Sequence, residues 1–220
     1  MSKPILAIVD YGSGNVRSVF RAVSSQTHDF DVMLTDDPQL IHAAERIILP
    51  GQSAIKDCMA NLKARDLIEP LWDALNNKPC LAICIGPQVL LSHSEENDGI
   101  ETLGYFPGKT RHFTSELSAE AIKASSIKIP HIGWNMVKQQ SNTAEKHALW
   151  QGIPDNSYFY FVHSYFLKPD QADLIVGTTE HGLRFASAIA QDNVFGAQFH
   201  PEKSDLVGLR LLKNFTLWQP

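Results

Sequence analysis

Cysteine is scarce in this sequence. The three present, Cys58, Cys80 and Cys84, are an odd number and form no disulfide framework. Their spacing also fits no zinc site, so no metal or cofactor is expected, and a reducing cytoplasm is the natural home. No block of like charge occurs. A formal net charge of −5 argues against a non-specific nucleic-acid or anionic-membrane surface. The longest apolar runs are strand-sized, too short to span a bilayer. Met1-Ser2-Lys3-Pro4-Ile5 leads straight into one such run, without the long apolar segment of a signal peptide. Repeats, low-complexity tracts and linkers are absent, so residues 1–220 read as one domain. With 44% hydrophobic and 20% charged residues, what is there is the composition of an ordinary globular protein.

Patterning gives the class. Residues 5–10 form a continuous apolar strand of the kind buried on both faces of a parallel sheet. A glycine turn, Tyr11-Gly12-Ser13-Gly14-Asn15, follows, and residues 16–23 carry apolar side chains at helical spacing. This G-x-G lacks a third glycine, so it supports a dinucleotide site only weakly. Further strands are expected at 31–35, at 46–51 (closed by Pro50-Gly51) and at 80–83, with helices at 54–62 and 67–75. Strands alternating with helices imply an α/β fold with a parallel sheet, whose ligands sit outside the carboxyl ends of the strands. Beyond Leu91 the chain becomes strand-rich: an aromatic strand at 158–166, others at 174–178, 185–189 and 194–199, and a closing helix at 206–218.

The centre of this pattern is Cys80-Leu81-Ala82-Ile83-Cys84-Ile85-Gly86-Pro87-Gln88. A buried strand ends at Cys84, and Gly86 is expected to allow the sharp turn into a helix over residues 87–91. This is a nucleophile elbow with cysteine in place of serine. The helix start offers unpaired N–H groups and a positive dipole end, which favour a thiolate, and the Ile85 N–H points where an oxyanion would form. A nucleophilic cysteine needs a base, and the base an orienting group. His200-Pro201-Glu202 supplies both at the end of a strand, with His163 as the rival base. The remaining histidines, including His131, His147 and His181, are expected in loops or on polar faces.

These residues carry a resemblance. Asp10-Tyr11-Gly12-Ser13-Gly14-Asn15, Leu49-Pro50-Gly51, the elbow with Gln88, Ser94-Glu95-Glu96, His131-Ile132-Gly133-Trp134-Asn135, Tyr160-Phe161-Val162-His163-Ser164-Tyr165 and Gln198-Phe199-His200-Pro201-Glu202-Lys203-Ser204 resemble class I (triad) glutamine amidotransferases. Within these they resemble the glutaminase subunits of imidazole glycerol phosphate synthase, which act in histidine biosynthesis. The resemblance implies a flavodoxin-like fold with an additional strand-rich half. It implies that Cys84 attacks the side-chain amide of glutamine, that His200 passes a proton to the departing ammonia, and that Glu202 orients His200. It further implies oxyanion contacts at Gly51, Gln52 and Ile85, and glutamine contacts at Gln88, Glu96, Ser164 and Tyr165. The implied partner is a (β/α)8-barrel cyclase forming a heterodimer, met by Trp134, Asn135 and Lys203, with no nucleic acid or membrane involved. Departures from the family pattern are Ala82 for glycine, Pro87 for methionine and Ser53 for glycine. Rival readings are a glutaminase serving a paralogous pair, such as one amidating a surface sugar, a free-standing γ-glutamyl cysteine hydrolase, and an inactive binding subunit.

Overall fold

A strand that is apolar throughout needs cover on both sides, and the computed structural model shows what covers it. It describes residues 3–12, 14, 16–125, 127–141 and 146–220. Ser13 and Asn15 of the glycine turn lie outside the described residues. β1 (Ile5–Val9) lies between β2 (Asp31–Thr35) and β3 (Arg46–Leu49), and β4 (Cys80–Ile83) lies beyond β3. All of these pairs are parallel. Successive side chains alternate between two buried layers. Leu6, Ile8, Ile48, Leu81 and Ile83 pack with α1 (Val16–Ser24) and α8 (Asp205–Leu217). Ala7, Val9, Ile47, Leu49 and Ala82 pack with α2 (Pro38–Ala43), α3 (Ile55–Ala64), α4 (Ile68–Asn77) and α5 (Ile85–Leu90).

The strand-rich half continues the same sheet. Beside β4 stands β13 (Val194–Ala197), still parallel, and β13 then pairs antiparallel with β12 (Arg184–Gln191). Outward from β12 come β10 (Tyr165–Pro169), β7 (Gly108–His112), β5 (His93–Ser94) and β6 (Ile100–Glu101). A branch from β12 runs through β11 (Ile175–Glu180) to β8 (His131–Gln139) and β9 (Ser157–His163). Two short helices, α6 (Phe113–Glu116) and α7 (Ala119–Ser125), follow β7. The architecture is α/β, a parallel half continued by the expected strand-rich half.

Two expected elements differ in ways that matter for the site. The helix after Cys84 begins at Ile85, not Pro87, so Pro87 sits in its first turn, where a missing N–H costs nothing. The aromatic run 158–166 is two strands, β9 and β10, broken at Ser164. β9 keeps a period of two: Phe159 and Phe161 are buried, whereas Tyr158 and Val162 are exposed.

Candidate active site

Cys84 is the single residue between β4 and α5, with φ 58° and ψ −95°. A non-glycine residue held there costs on the order of 1–3 kcal/mol and persists only where its surroundings impose it. The sharp turn is therefore made by Cys84 itself, and the expectation that Gly86 supplies it is corrected. Gly86 is needed for close approach instead. A Cβ on it would stand 2.3 Å from the Leu49 carbonyl oxygen and 3.1 Å from the Ala82 Cβ. Ala82 fits under the elbow because Gly86 has no side chain. From the far side the Cys84 carbonyl accepts a hydrogen bond from Gln198 Nε2 at 3.1 Å, and Gln88 Nε2 donates to Gln198 Oε1 at 3.1 Å. Gln198 is a fully buried polar side chain whose part in bracing the elbow the sequence does not announce.

After β13 the chain leaves the sheet, and the His200 N–H donates to the Tyr160 carbonyl at 2.9 Å. A single 3-10 turn, Pro201–Lys203, folds Glu202 back so that its Oε1 lies 2.8 Å from His200 Nδ1. Both side chains are fully buried. A carboxylate accepts, so Nδ1 carries a proton and Nε2 is left for Cys84. Burial disfavours the imidazolium, but the charge of the nearby Cys84 sulfur and then Glu202 outweigh it and raise the His200 pKa to about 10, while the buried Nε2 itself makes no hydrogen bond to any described residue in this conformation. The arrangement favours the protonated imidazole.

The rival base is occupied elsewhere. His163 Nδ1 is 2.8 Å from the Tyr165 carbonyl and its Nε2 is 2.9 Å from His131 Nδ1, so its tautomer is fixed and both nitrogens are used. Burial pushes the pKa of His163 and of His131 down to about 3. His131 is thus not on a polar face, as expected, but faces His163 across the β8–β9 ladder and stacks on His181 at 4.0 Å. His147 is likewise lowered by burial, to about 4.

A cavity of about 220 Å³ opens beside the elbow, and Gln88, Glu96, Ser164 and Tyr165 all line it, together with Ile85 and His163. Gln88 Oε1 is buried with no hydrogen-bond partner. One Glu96 oxygen accepts the Ile55 N–H at 2.8 Å. The neighbouring Glu95 is instead tied to Arg111 and to the His112 N–H. The cavity therefore offers a carboxylate and an unpartnered amide oxygen, both suited to an ammonium group.

The expected oxyanion donors are not assembled in this conformation. The Ile85 N–H is turned to the Gly51 carbonyl at 3.5 Å, so an acceptor stands where a second donor was expected, and Gln52 is exposed next to it. The three expected interface residues also separate. Trp134 is 52% exposed and meets the Tyr160 ring edge-on at 6.1 Å, and Lys203 Nζ lies 5.9 Å from the centre of the same ring. Asn135 points to the opposite face of β8, where its Nδ2 donates to the Glu180 carbonyl at 2.9 Å and lies 3.1 Å from His131 Nε2. Alternation along a strand makes neighbours point apart, and the motif alone does not say which faces out.

Comparisons with known proteins agree with this geometry. The family model for class-I glutamine amidotransferase matches residues 7–217. The imidazole glycerol phosphate synthase subunit HisH of Dechloromonas aromatica is 46% identical over 215 residues, covering 98% of this chain and 97% of that protein. The protein of the same name from Acinetobacter baylyi is 45% identical over 213 residues, covering 97% and 98%. Among solved structures, PurLQS from Thermotoga maritima superposes with a TM-score of 0.68 at 19% identity, over 98% of this chain and 96% of that one. A glutamine amidotransferase from the same organism gives 0.54 at 20% identity, over 92% and 77%. At these identities the structural likeness speaks for the fold alone.

Proposed function

This chain belongs to the class-I glutamine amidotransferases, and from that premise we propose that it is the glutaminase subunit of an imidazole glycerol phosphate synthase, a single domain over residues 1–220. In this reading glutamine enters the cavity with its α-amino group on Glu96 and its carboxylate on the Ser164–Tyr165 backbone, with Gln88 beside it. The Cys84 sulfur attacks the side-chain amide carbon, and the charge on the oxygen falls to the Ile85 N–H. A second donor comes from the Gly51–Gln52 peptide once its carbonyl has turned away. His200 gives its proton to the leaving nitrogen, ammonia departs, and a γ-glutamyl thioester remains on Cys84. Water deprotonated by His200 then releases glutamate. Glu202 holds the imidazole in the tautomer both steps need.

The observation that carries this reading is the conjunction of the strained Cys84 elbow after β4, the buried His200–Glu202 pair at 2.8 Å after the adjoining β13, and a cavity lined by Gln88, Glu96, Ser164 and Tyr165. The ammonia is passed to a (β/α)8-barrel cyclase that forms imidazole glycerol phosphate and an aminoimidazole carboxamide ribotide. What supports a protein partner is the outer face of β8 and β9. There Ile132 opposes Val162, Trp134 opposes Tyr160 and Met136 opposes Tyr158. Five of these six are exposed large hydrophobic side chains, Tyr160 being the exception, and a free-standing hydrolase has no use for such a face. Trp134 and Lys203 meet the partner in this reading, and Asn135 props the strand from behind. Free thiols at Cys58, Cys80 and Cys84 suit the cytoplasm, and no helix among the described residues is long and apolar enough to cross a membrane.

The test is a bypass. Cys84→Ala should abolish glutamine-dependent synthesis while the complex with the cyclase still makes product from added ammonium salt. Retained glutamine turnover in that variant would sink the mechanism. Failure of the gene to restore growth without histidine would point to the paralogous pair.

A further inference from the structure

The segment that presents its carbonyl to the elbow is held by residues outside the triad. At its start, the Tyr11 hydroxyl donates to the Pro50 carbonyl at 2.7 Å, and a Cβ on Gly51 would meet the same hydroxyl at 2.7 Å. At its end, Ser53 Oγ lies 3.1 Å from Cys58 Sγ, and that sulfur also approaches the Ser53 carbonyl at 4.0 Å. The Tyr11 hydroxyl reaches the same sulfur at 3.6 Å. Tyr11 and Cys58 are completely buried, and Cys58 sits in the first turns of α3, whose leading N–H, from Ile55, is bound by Glu96. One thiol therefore ties together the helix, the serine that replaces the family's glycine, and the tyrosine under Gly51. Burial pushes the Cys58 thiol up, so it acts as a neutral hydrogen-bonding group and not as a second nucleophile.

We propose that Cys58 is a positioning residue, which with Tyr11 and Ser53 latches segment 50–53 in the conformation where the Gly51 carbonyl takes up the Ile85 N–H. The inference rests on the glutaminase reading above. In this state the elbow donor is engaged and its companion is missing, so the latch keeps the chain slow until the segment turns. Each contact it makes is formed in the slow state and adds to the work of leaving it.

Glutamate release is measured for the chain alone and in complex with the cyclase, for Cys58→Ala, Tyr11→Phe and Cys58→Ser. Hydrogen exchange at residues 51–53 is followed by mass spectrometry on the same samples. Losing one net hydrogen bond corresponds to roughly fivefold in a population. Cys58→Ala and Tyr11→Phe should raise release by the isolated chain by about that factor, through kcat and not KM, and quicken exchange at 51–53. Their rate in the complex should change little, so stimulation by the partner narrows. Cys58→Ser, which keeps a hydroxyl, should stay nearer the unsubstituted chain than Cys58→Ala does. If Cys58→Ala misfolds, Ser53→Ala cuts the same contact from a half-buried position. Rates that stay unchanged, or that fall in proportion with and without partner, would overturn the latch and leave Cys58 as core filling. Were the unsubstituted chain inactive in both settings, the glutaminase reading would fail. Exchange at 51–53 would then decide the latch alone: faster in the variants supports it, unchanged refutes it.

Discussion

Gly86→Ala is a small substitution at the point where the elbow is most tightly packed. Its new Cβ would stand 2.3 Å from the Leu49 carbonyl oxygen, a backbone atom of β3 that cannot rotate aside. Ordinary contact begins near 3.4 Å, so α5 must lift by about 1 Å, and Cys84, already at φ 58°, moves with it. Overpacking of this kind costs about 1–3 kcal/mol of stability. A displacement of about 1 Å at a reacting group can cost roughly a hundredfold in rate. The variant should therefore fold with a lowered unfolding midpoint and lose about two orders of magnitude in kcat for glutamine. The complex's use of ammonium salt, which bypasses the elbow, should be intact. Pairing it with Ala82→Gly removes the second clash, at 3.1 Å, but leaves Leu49 in place, so the double variant should recover little. Steady-state glutamate release and ammonium-dependent synthesis on the same preparations are the assay. Wild-type kcat in Gly86→Ala would refute the claim that close approach, and not turn geometry, demands glycine there.

Other consequences concern protons and the partner. His200 should be protonated at pH 8 in the unsubstituted chain, and Cys84→Ala should pull its pKa down from about 10, because burial then opposes only Glu202. Ring NMR of His200 across pH reads this directly, and an unchanged titration would mean that the sulfur is not its partner. His131, His147 and His163 are kept neutral by burial when folded and take up protons when unfolded below their ordinary value of 6.5. Stability should therefore fall as pH drops from 6.5 toward 4, with a limiting slope of about 4 kcal/mol per pH unit for three protons; a flat denaturation midpoint over that range would contradict it. Trp134→Ala should weaken cyclase binding by about 2 kcal/mol, as loss of an aromatic anchor does. Calorimetric titration should show Asn135→Ala, on the opposite face, costing less.

Cys84, His200 and Glu202 are legible in local chemistry, a strand ending in cysteine and a His-x-Glu at a strand end, which can be placed without knowing the partner strands. Gln88, Glu96, Ser164 and Tyr165 come only from the family resemblance, because nothing local says that they share a cavity. What stayed hidden was set by approach between distant segments. Nothing near Gly86 in the chain says that Leu49 lies against it, and nothing near Ser53 predicts the shared Cys58–Tyr11 contact. The same holds for Gln198, whose bond to the Cys84 carbonyl joins residues 114 positions apart. His131 and His163 were misread or held as rivals because their meeting depends on the register of β8 against β9. The resemblance groups Asn135 with Trp134, while the pleat sends them to opposite faces.

The central claim is that Cys84 carries the glutamyl group. Rapid acid quenching of the complex during glutamine turnover, followed by peptide mass spectrometry, tests it most directly. The account predicts a γ-glutamyl adduct whose fragment ions fall on Cys84 and not on the buried Cys80 of the preceding strand or on Cys58. An adduct on another residue, or none at all while glutamate is being released, would contradict it.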